Sequence, residues 1–420
     1  MIRRWIPRGL KQAFWRVLAR AIRPGRVRKI GEVLFRVRGF RRDSEMSLNA
    51  ARSILVVRLD RLGDMVLTSG FLRELRRNAP HAHITLLVQP PSRALVTACP
   101  HIDEVIAWPP DASDRWDPDD AKASVVRVWR VLRLAARSLW CRRFDLAIIP
   151  RWGVDYYHAV FAAYLSGATQ RVGYSESVSS EKARVNRNFD ILLTRSLRLD
   201  GSFHEVEKNL KLLREMGGTI DSQRLELWTE LADEQTVRER LLRAGHVAGT
   251  PLVAFGIGAS GSDRVWPPAY FGRLGGWLHR ERSARVVLIG SEGERALAAE
   301  IRARLGDVAI DMVGQVSLRE CAALLKRCCL YVGNDTGPMH MAAAAGLPVV
   351  EISRHLRECW PEQFDSPAYF SPWAVPSVVV AVEDGVAGLG DIASISVERV
   401  QAAVESLWHE AARRYTSGSE

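Results

Sequence analysis

No stretch of the chain approaches the roughly 18 to 20 uninterrupted apolar residues that a membrane-spanning helix needs. Apolar runs such as 252–257 (LVAFGI) and 285–290 (RVVLIG) are strand-length, so the pattern is not that of an integral membrane protein. Cysteine is also sparse. Cys99, Cys141, Cys321, Cys328, Cys329 and Cys359 form no C-x-x-C pair and have no histidines at matching spacing, which argues against a disulfide framework or a zinc site. Cys321, Cys328 and Cys329 fall in an apolar helix-to-strand stretch and read as small core hydrophobes, as in a reducing cytoplasm. Disorder and collagen-like architecture are excluded by 47% hydrophobic and 25% charged residues, ordinary globular usage over two to three domains of about 150 residues each.

Acidic residues are nearly missing from the N-terminus. Residues 1–42 hold 14 Lys and Arg against one acid, Glu32, whereas the other 378 residues hold 45 bases and 47 acids. The overall charge of +11 therefore belongs to an arm on a near-neutral body, a distribution that fits docking to an anionic surface rather than nucleic-acid binding by the body. Within the arm Trp5, Ile6, Leu10, Phe14, Trp15, Val17, Leu18 and Ile22 recur at roughly helical spacing among arginines. Beyond Pro24-Gly25 follow Ile30, Val33, Leu34, Val37 and Phe40. The pattern reads as an amphipathic helix lying on anionic lipid. An Arg-rich, acid-poor transit peptide or a partner-binding helix has the same composition.

After the arm, strand-like and helical runs alternate, the signature of parallel sheets flanked by helices. Strands are predicted at 53–58, 83–88 and 144–149, with helices at 65–78 and 122–140. A second series begins at 251–256, with strands at 285–290 and 329–333 and helices near 269–281, 293–305, 317–327 and 338–345. The organisation expected is a basic arm (1–45), an N-terminal Rossmann-like domain (50–225), a C-terminal Rossmann-like domain (235–390) and a final helix (391–420). The linker is expected near 218–235. The segments 108–120 and 175–190 read as loops on the working face of the first half. Such a pair of domains places ligands at the carboxyl ends of the strands, in the cleft between them.

Four places there carry candidate chemistry. In R-L-D-R-L-G-D (58–64), Gly63 permits a tight strand-to-helix turn, and Asp64 is either a general base facing the cleft or the N-cap of a helix beginning near Met65. G-I-G-A-S-G (256–261), with Gly258 and Ser260, matches a dinucleotide fingerprint, but S-D-R-V-W-P-P intervenes before the next helix. It is therefore better read as backbone amides offered to phosphate, with Arg264 beside them to pair with phosphate oxygens, or as a glycine loop with a solvated arginine. Glu292, just past 285–290, is an acid positioned for ribose hydroxyls or a solvated residue opening a helix. In G-N-D-T-G-P-M-H (333–340), Pro338 suits the first helical position. The amides of Thr336, Gly337 and Met339 then lie at a helix N-terminus that favours an anion. His340 faces that anion or packs internally, and Asn334 and Asp335 suit turn chemistry as well as ligand binding.

In order along the chain, V-V-R-L-D-R-L-G-D-M-V-L-T (56–68), S-G-A-T-Q-R-V-G-Y (166–174), H-E-V-E-K-N-L (204–210), R-V-W-P (264–267) and V-G-N-D-T-G-P-M-H-M-A-A-A (332–344) resemble the heptosyltransferases of glycosyltransferase family nine. The resemblance runs from about residue 52 to the C-terminus and leaves out the arm. It implies an α/β GT-B fold, two Rossmann-like domains facing a central cleft. It also implies a metal-independent, inverting transfer from a nucleotide sugar, ADP-heptose, to a lipid-linked saccharide, the lipopolysaccharide inner core, at the cytoplasmic face of the inner membrane. On this resemblance Asp64 matches the catalytic base. Asp335, Thr336, Gly337 and His340 match the donor's phosphate and ribose site, and Glu292 falls near the ribose-binding acid. No cofactor, resident metal or nucleic-acid partner is implied.

Two positions depart from the family pattern. Asp60 and Arg61 stand where small hydroxyl residues are usual, which bears on the acceptor side of the cleft. Arg264 stands where lysine is usual, exchanging a compact ammonium for a planar fork. The expected mechanism has Asp64 taking the acceptor proton, while Arg264, the amides at 336–339 and the 256–261 loop neutralise the leaving diphosphate. Open alternatives are a related transferase with another nucleotide sugar or a protein acceptor, a sugar-nucleotide epimerase, a membrane-docked nucleotide-binding scaffold without turnover, and a nicotinamide enzyme resting on G-I-G-A-S-G alone.

Overall fold

The computed structural model describes residues 23–37, 47–108, 121–199, 201, 203–362 and 365–417. Most of the basic arm and most of the segment 108–120 lie outside these. Among the described residues, twelve strands form two six-stranded, fully parallel sheets. The first contains β1 (Ser53–Arg58), β2 (His83–Val88), β3 (Glu104–Ala107), β4 (Leu146–Ile149), β5 (Gln170–Tyr174) and β6 (Arg195–Leu197). The second contains β7 (Leu252–Gly256), β8 (Arg285–Ile289), β9 (Ala309–Asp311), β10 (Leu330–Asn334), β11 (Val349–Ser353) and β12 (Ser377–Ala381).

The strand orders are β3-β2-β1-β4-β5-β6 and β12-β11-β10-β7-β8-β9, the same doubly wound order when the second is read from its other edge. Each half therefore reverses its winding once, between β1 and β4 and between β7 and β10, and a crevice opens at the carboxyl ends of those strands. The two crevices face each other. Together with the neighbours reported below, this is the GT-B arrangement that the family resemblance implied.

Burial on both faces explains why the central strands read as continuous apolar runs. Along β1, Ile54 and Val56 pack with Phe71, Leu72 and Val206, whereas Leu55 and Val57 pack with Val131, Phe161 and Val27. Val27 belongs to the helix Pro24–Val37, so the described part of the basic segment is docked on the first domain. The Tyr164 hydroxyl also donates to the Arg28 carbonyl at 2.7 Å. The final helix, Val397–Ser417, packs Val400, Val404, Leu407 and Ala411 into the second domain's core beside Val350 and Ile352. No helix among the described residues is long and apolar enough to cross a membrane.

Four segments differ from the sequence expectation, the first being 175–190, which is expected as a loop and instead holds the helix Ser180–Val185 between short turns at Glu176–Val178 and Phe189–Leu192. The helix expected over 65–78 is two, Leu62–Leu67 and Ser69–Asn78, and the one expected over 122–140 gives way after Leu134 to a wider turn, Ala135–Leu139. The helix after β10 starts at Gly337 with Thr336 as its extended N-cap, so Pro338 occupies its second position rather than its first. The segment 366–373 crosses back to the first domain. There His204 stacks on Trp373 with ring centroids 4.5 Å apart, and Phe370 and Trp373 pack against the first domain's core.

Candidate active site

The crevices join in one cleft of about 1520 Å³, lined from the first domain by Asp60–Asp64, Arg151–Val154, Ser179 and Glu181, and from the second by Gly258–Ser260, Arg264, Glu292, Asp335–Pro338, His340 and Met341. Of the candidates named from the sequence, Asp60, Arg61, Asp64, Gly258, Ser260, Arg264, Glu292, Asp335, Thr336, Gly337 and His340 line the cleft, whereas Asn334 and Met339 are buried and do not.

Asp64 sits at the third position of the helix Leu62–Leu67, with Arg61 as N-cap. Its Oδ2 accepts the Arg61 amide at 3.2 Å, which supplies the capping function. Its Oδ1 turns the other way, toward Arg58 Nη2 and Arg151 Nη1, each at 3.3 Å. The carboxylate thus caps the helix from inside it rather than at its N-cap, while its second oxygen faces the two arginines. Burial pushes its proton affinity up, but the Arg151 and Arg58 guanidinium groups, with His340 and the Arg61 amide, hold it below the ordinary carboxylate value. It is ionised at neutral pH and free to accept a proton.

Around Asp64 lies a charge network that the sequence reading did not single out. Arg58 closes β1 with a fully buried side chain. Its Nε lies 3.0 Å from Asp60 Oδ2, its Nη2 donates to Glu205 Oε1 at 2.8 Å, and its Nη1 donates to the Pro150 carbonyl and to Asn209 Oδ1 at 3.3 Å. Arg151 follows β4, and its Nε lies 3.4 Å from Asp60 Oδ1. Lys208 completes the group, 4.0 Å from Glu205 and over the faces of Trp152 and Tyr369 at 4.2 and 4.3 Å. Three carboxylates balance three cations, as buried charge requires. Burial pushes Asp60 up to about 6 against the pull of Arg151 and Arg58. The signal present in the sequence was an arginine at the end of each of two apolar strands, the first beside Asp60 and Asp64, with Glu205 and Lys208 brought in by the helix Glu205–Glu215.

On the facing wall, Trp266 is wholly buried, its Nε1 donating to the Ile395 carbonyl at 2.9 Å and its amide to Asn334 Oδ1 at 3.0 Å. Asn334 Nδ2 reaches back to the carbonyls of Ile257 and Gly258, each at 3.2 Å. One buried amide thereby fixes the ends of β7 and β10 together and projects Arg264, which pairs with Asp335. After β7 the chain makes a short turn, Ser262–Arg264, before the helix Pro268–Arg282, so no helix opens directly on the glycine loop. His340 is buried, and desolvation lowers its proton affinity despite Asp335 and Asp64, leaving a neutral imidazole. Its Nδ1 has no hydrogen-bond partner among the described residues. Glu292 is on the cleft rim, its carboxylate paired with Arg295. Glu294 turns inward instead, accepting from the Ser291 amide and hydroxyl at 2.6 Å each, between Gly258 and Gly290.

The description of glycosyltransferase family 9 (heptosyltransferase) matches residues 136–355. Lipooligosaccharide heptosyltransferase 2 of Haemophilus ducreyi is 23% identical over 343 residues, covering 79% of this chain and 89% of that protein. Lipopolysaccharide heptosyltransferase 2 of Salmonella typhimurium is 24% identical over 310 residues, 71% of this chain and 82% of that one. Among solved structures, a family 9 glycosyltransferase from Veillonella parvula superposes with a TM-score of 0.69 at 22% identity, over 87% of this chain and all of that one. The E. coli ADP-heptose lipopolysaccharide heptosyltransferase II gives 0.62 at 20% identity, over 85% and 99%. With more than half of its length inside the family match and a cleft between two doubly wound domains, the chain belongs to glycosyltransferase family 9 and is a glycosyltransferase.

Proposed function

We propose that the protein transfers a heptose from ADP-heptose to a lipopolysaccharide inner-core acceptor, with inversion and without a metal ion, acting peripherally on the inner face of the bacterial inner membrane. One observation carries the reading: the ionised Asp64 carboxylate stands on one wall of the cleft, opposite the helix start at Thr336–His340 on the other. Asp64 takes the proton of the acceptor hydroxyl as that oxygen bonds to the anomeric carbon. The bond from that carbon to the diphosphate breaks on the far side, and ADP leaves with the charge. Arg264, the amide of Gly337 and the amides of 258–261 receive it, each a donor aimed where charge develops; the Met339 amide is already committed to the Thr336 carbonyl at 3.0 Å. Neutral His340 contributes one N–H. Glu292 is the candidate for the ribose hydroxyls.

The donor assignment is supported by what the relatives are: enzymes named as heptosyltransferases of lipopolysaccharide or lipooligosaccharide, and an E. coli heptosyltransferase solved with ADP. A second reading, another nucleotide sugar or a protein acceptor, is favoured by Asp60 and Arg61, which set charge beside Asp64 where the acceptor must lie. Calorimetric titration with ADP-heptose, UDP-sugars and GDP-sugars decides between them. Selective ADP-heptose binding, with transfer that survives EDTA, is the expected result. Preference for a UDP- or GDP-sugar overturns the heptose assignment, and a strict Mg²⁺ requirement overturns the metal-free account.

A further inference from the structure

The face of the first sheet that carries Leu55 and Val57 is covered by three helical segments: Pro24–Val37, Ala121–Leu134 with its continuation to Leu139, and Ala159–Leu165. The first two both pack on the third. Gly31 lies against the Tyr164 ring, and Ala121–Leu134 contacts the same helix from its own side. Their inward positions are apolar apart from Arg127, with Val27 on one and Val128, Val131, Ala135 and Leu139 on the other.

The outward positions have a composition that core packing does not explain. On Pro24–Val37 the exposed stripe runs Arg26, Lys29, Val33, and on the second helix it runs Trp129, Arg133, Arg137. These spacings of three or four residues keep each stripe on one helix face. Val33 is 62% and Trp129 59% exposed, two of the few large apolar side chains left in solvent among the described residues. From 121 to 143 the sequence holds seven bases and no acid. A tryptophan and a valine set among arginines and lysines, on helices lying flat against a domain, form the surface that enters an anionic lipid interface: apolar groups reach the acyl boundary while the cations meet headgroup phosphates.

We infer that this two-helix face, and not the N-terminal arm alone, is a docking surface for an anionic phospholipid bilayer, with Trp129 as its apolar anchor. Charge complementarity selects the occupant. A nucleic acid would be served by the arginines but would leave Trp129 and Val33 without a role. The face adjoins the acceptor wall of the cleft, because Arg127 on the same helix donates to the carbonyl of Tyr156, a cleft-lining residue. This deepens the proposed function by supplying the route to a lipid-linked acceptor, and it rests on that reading only for its purpose. Vesicle binding is measured with neither donor nor acceptor present, so its failure would leave the transfer assignment standing.

The test uses the full chain and co-sedimentation with phosphatidylcholine vesicles, with and without phosphatidylglycerol. Wild type is expected to bind the anionic vesicles and to be released by salt. The paired substitution Arg133→Glu with Arg137→Glu is expected to weaken that partition at least about tenfold. Trp129→Ala is expected to weaken it in a way salt does not mimic, and both variants keep wild-type thermal unfolding and nucleotide binding. Three results overturn the inference: variants that partition as wild type while deletion of residues 1–22 abolishes binding, wild type that binds no anionic vesicle, or wild type that binds duplex DNA in place of vesicles.

Discussion

The Cα of Gly63, on the first domain, lies so close to the His340 ring of the second that a β-carbon added there would stand 2.6 Å from Cδ2. A contact between domains, and not backbone conformation, forbids a side chain at Gly63. The turn bearing Asp64 and the helix bearing His340 are thereby held in register. Gly63→Ala forces the ring or the domain apart and should lower kcat/KM by about 100-fold, the cost of misplacing reacting groups by an ångström or so. Stability should fall by only about 1–3 kcal/mol. Adding His340→Ala should relieve the clash, so steady-state kinetics and thermal unfolding of the single and double variants check the account.

Asp60 and Asp64 share Arg58 and Arg151 but differ in proton affinity, so they should separate in a pH profile. As pH falls through about 6, Asp60 takes a proton and Arg151 is left to pull on Asp64 alone, weakening it as a base. kcat/KM should fall with it, and Asp60→Asn should flatten that limb. Asp64→Asn should abolish turnover at every pH while ADP still binds by calorimetry. If ADP binding is lost as well, the base assignment for Asp64 is wrong.

Arg264 reaches the cleft tethered by Asp335. Arg264→Lys preserves charge but loses the planar fork, and it should weaken ADP binding by about tenfold, with Arg264→Ala costing more. Asp335→Ala unties the guanidinium and should raise the donor KM with little change in thermal stability.

The two neighbouring acids of the second domain should part company. Glu292→Gln leaves the fold intact and raises the donor KM if Glu292 holds ribose hydroxyls. Glu294→Gln loosens Ser291 and the loop at Gly258, and should lower both donor affinity and melting temperature. Equal, negligible effects from both would remove Glu292 from the donor site.

Glu351 on β11 is buried, and neither of its carboxylate oxygens has a partner among the described residues. Burial, with Asp335 nearby, raises its proton affinity well above the usual carboxylate range despite Arg264. The folded state therefore holds a proton that the unfolded chain releases, so stability declines as pH rises above the unfolded carboxylate value. Glu351→Gln should remove that decline. Its melting temperature should exceed wild type at pH 8 and match it near pH 4.

The sequence made the two site-bearing turns legible because their chemistry is local. L-G-D announces a tight turn into a helix, and D-T-G-P-M-H announces a helix start with free amides. It disclosed the strands buried on both faces, β1, β2, β4, β7, β8 and β10, through their apolar runs. β3, β5, β6 and β9 went unread, being short or polar like Gln170–Tyr174 and Arg195–Leu197, as did the β11–β12 edge, where Glu351 interrupts an apolar strand. Arg58, Arg151, Glu205 and Lys208 were present in or beside recognisable motifs. Their meaning depends on β1 lying next to β4 and on a helix more than 140 residues downstream, and no spacing along the chain encodes that.

The return of 366–373 to the first domain bears on how the chain comes to be folded at all. Phe370 and Trp373 complete a core begun by Ile54 and Phe71, while Val66 and Leu95 sit in a cluster otherwise built by the second domain. A nascent chain that has delivered its first 230 residues still has an unfinished core and must wait for the second half to leave the ribosome. Cutting between the domains should give two sticky fragments that gain solubility when produced together.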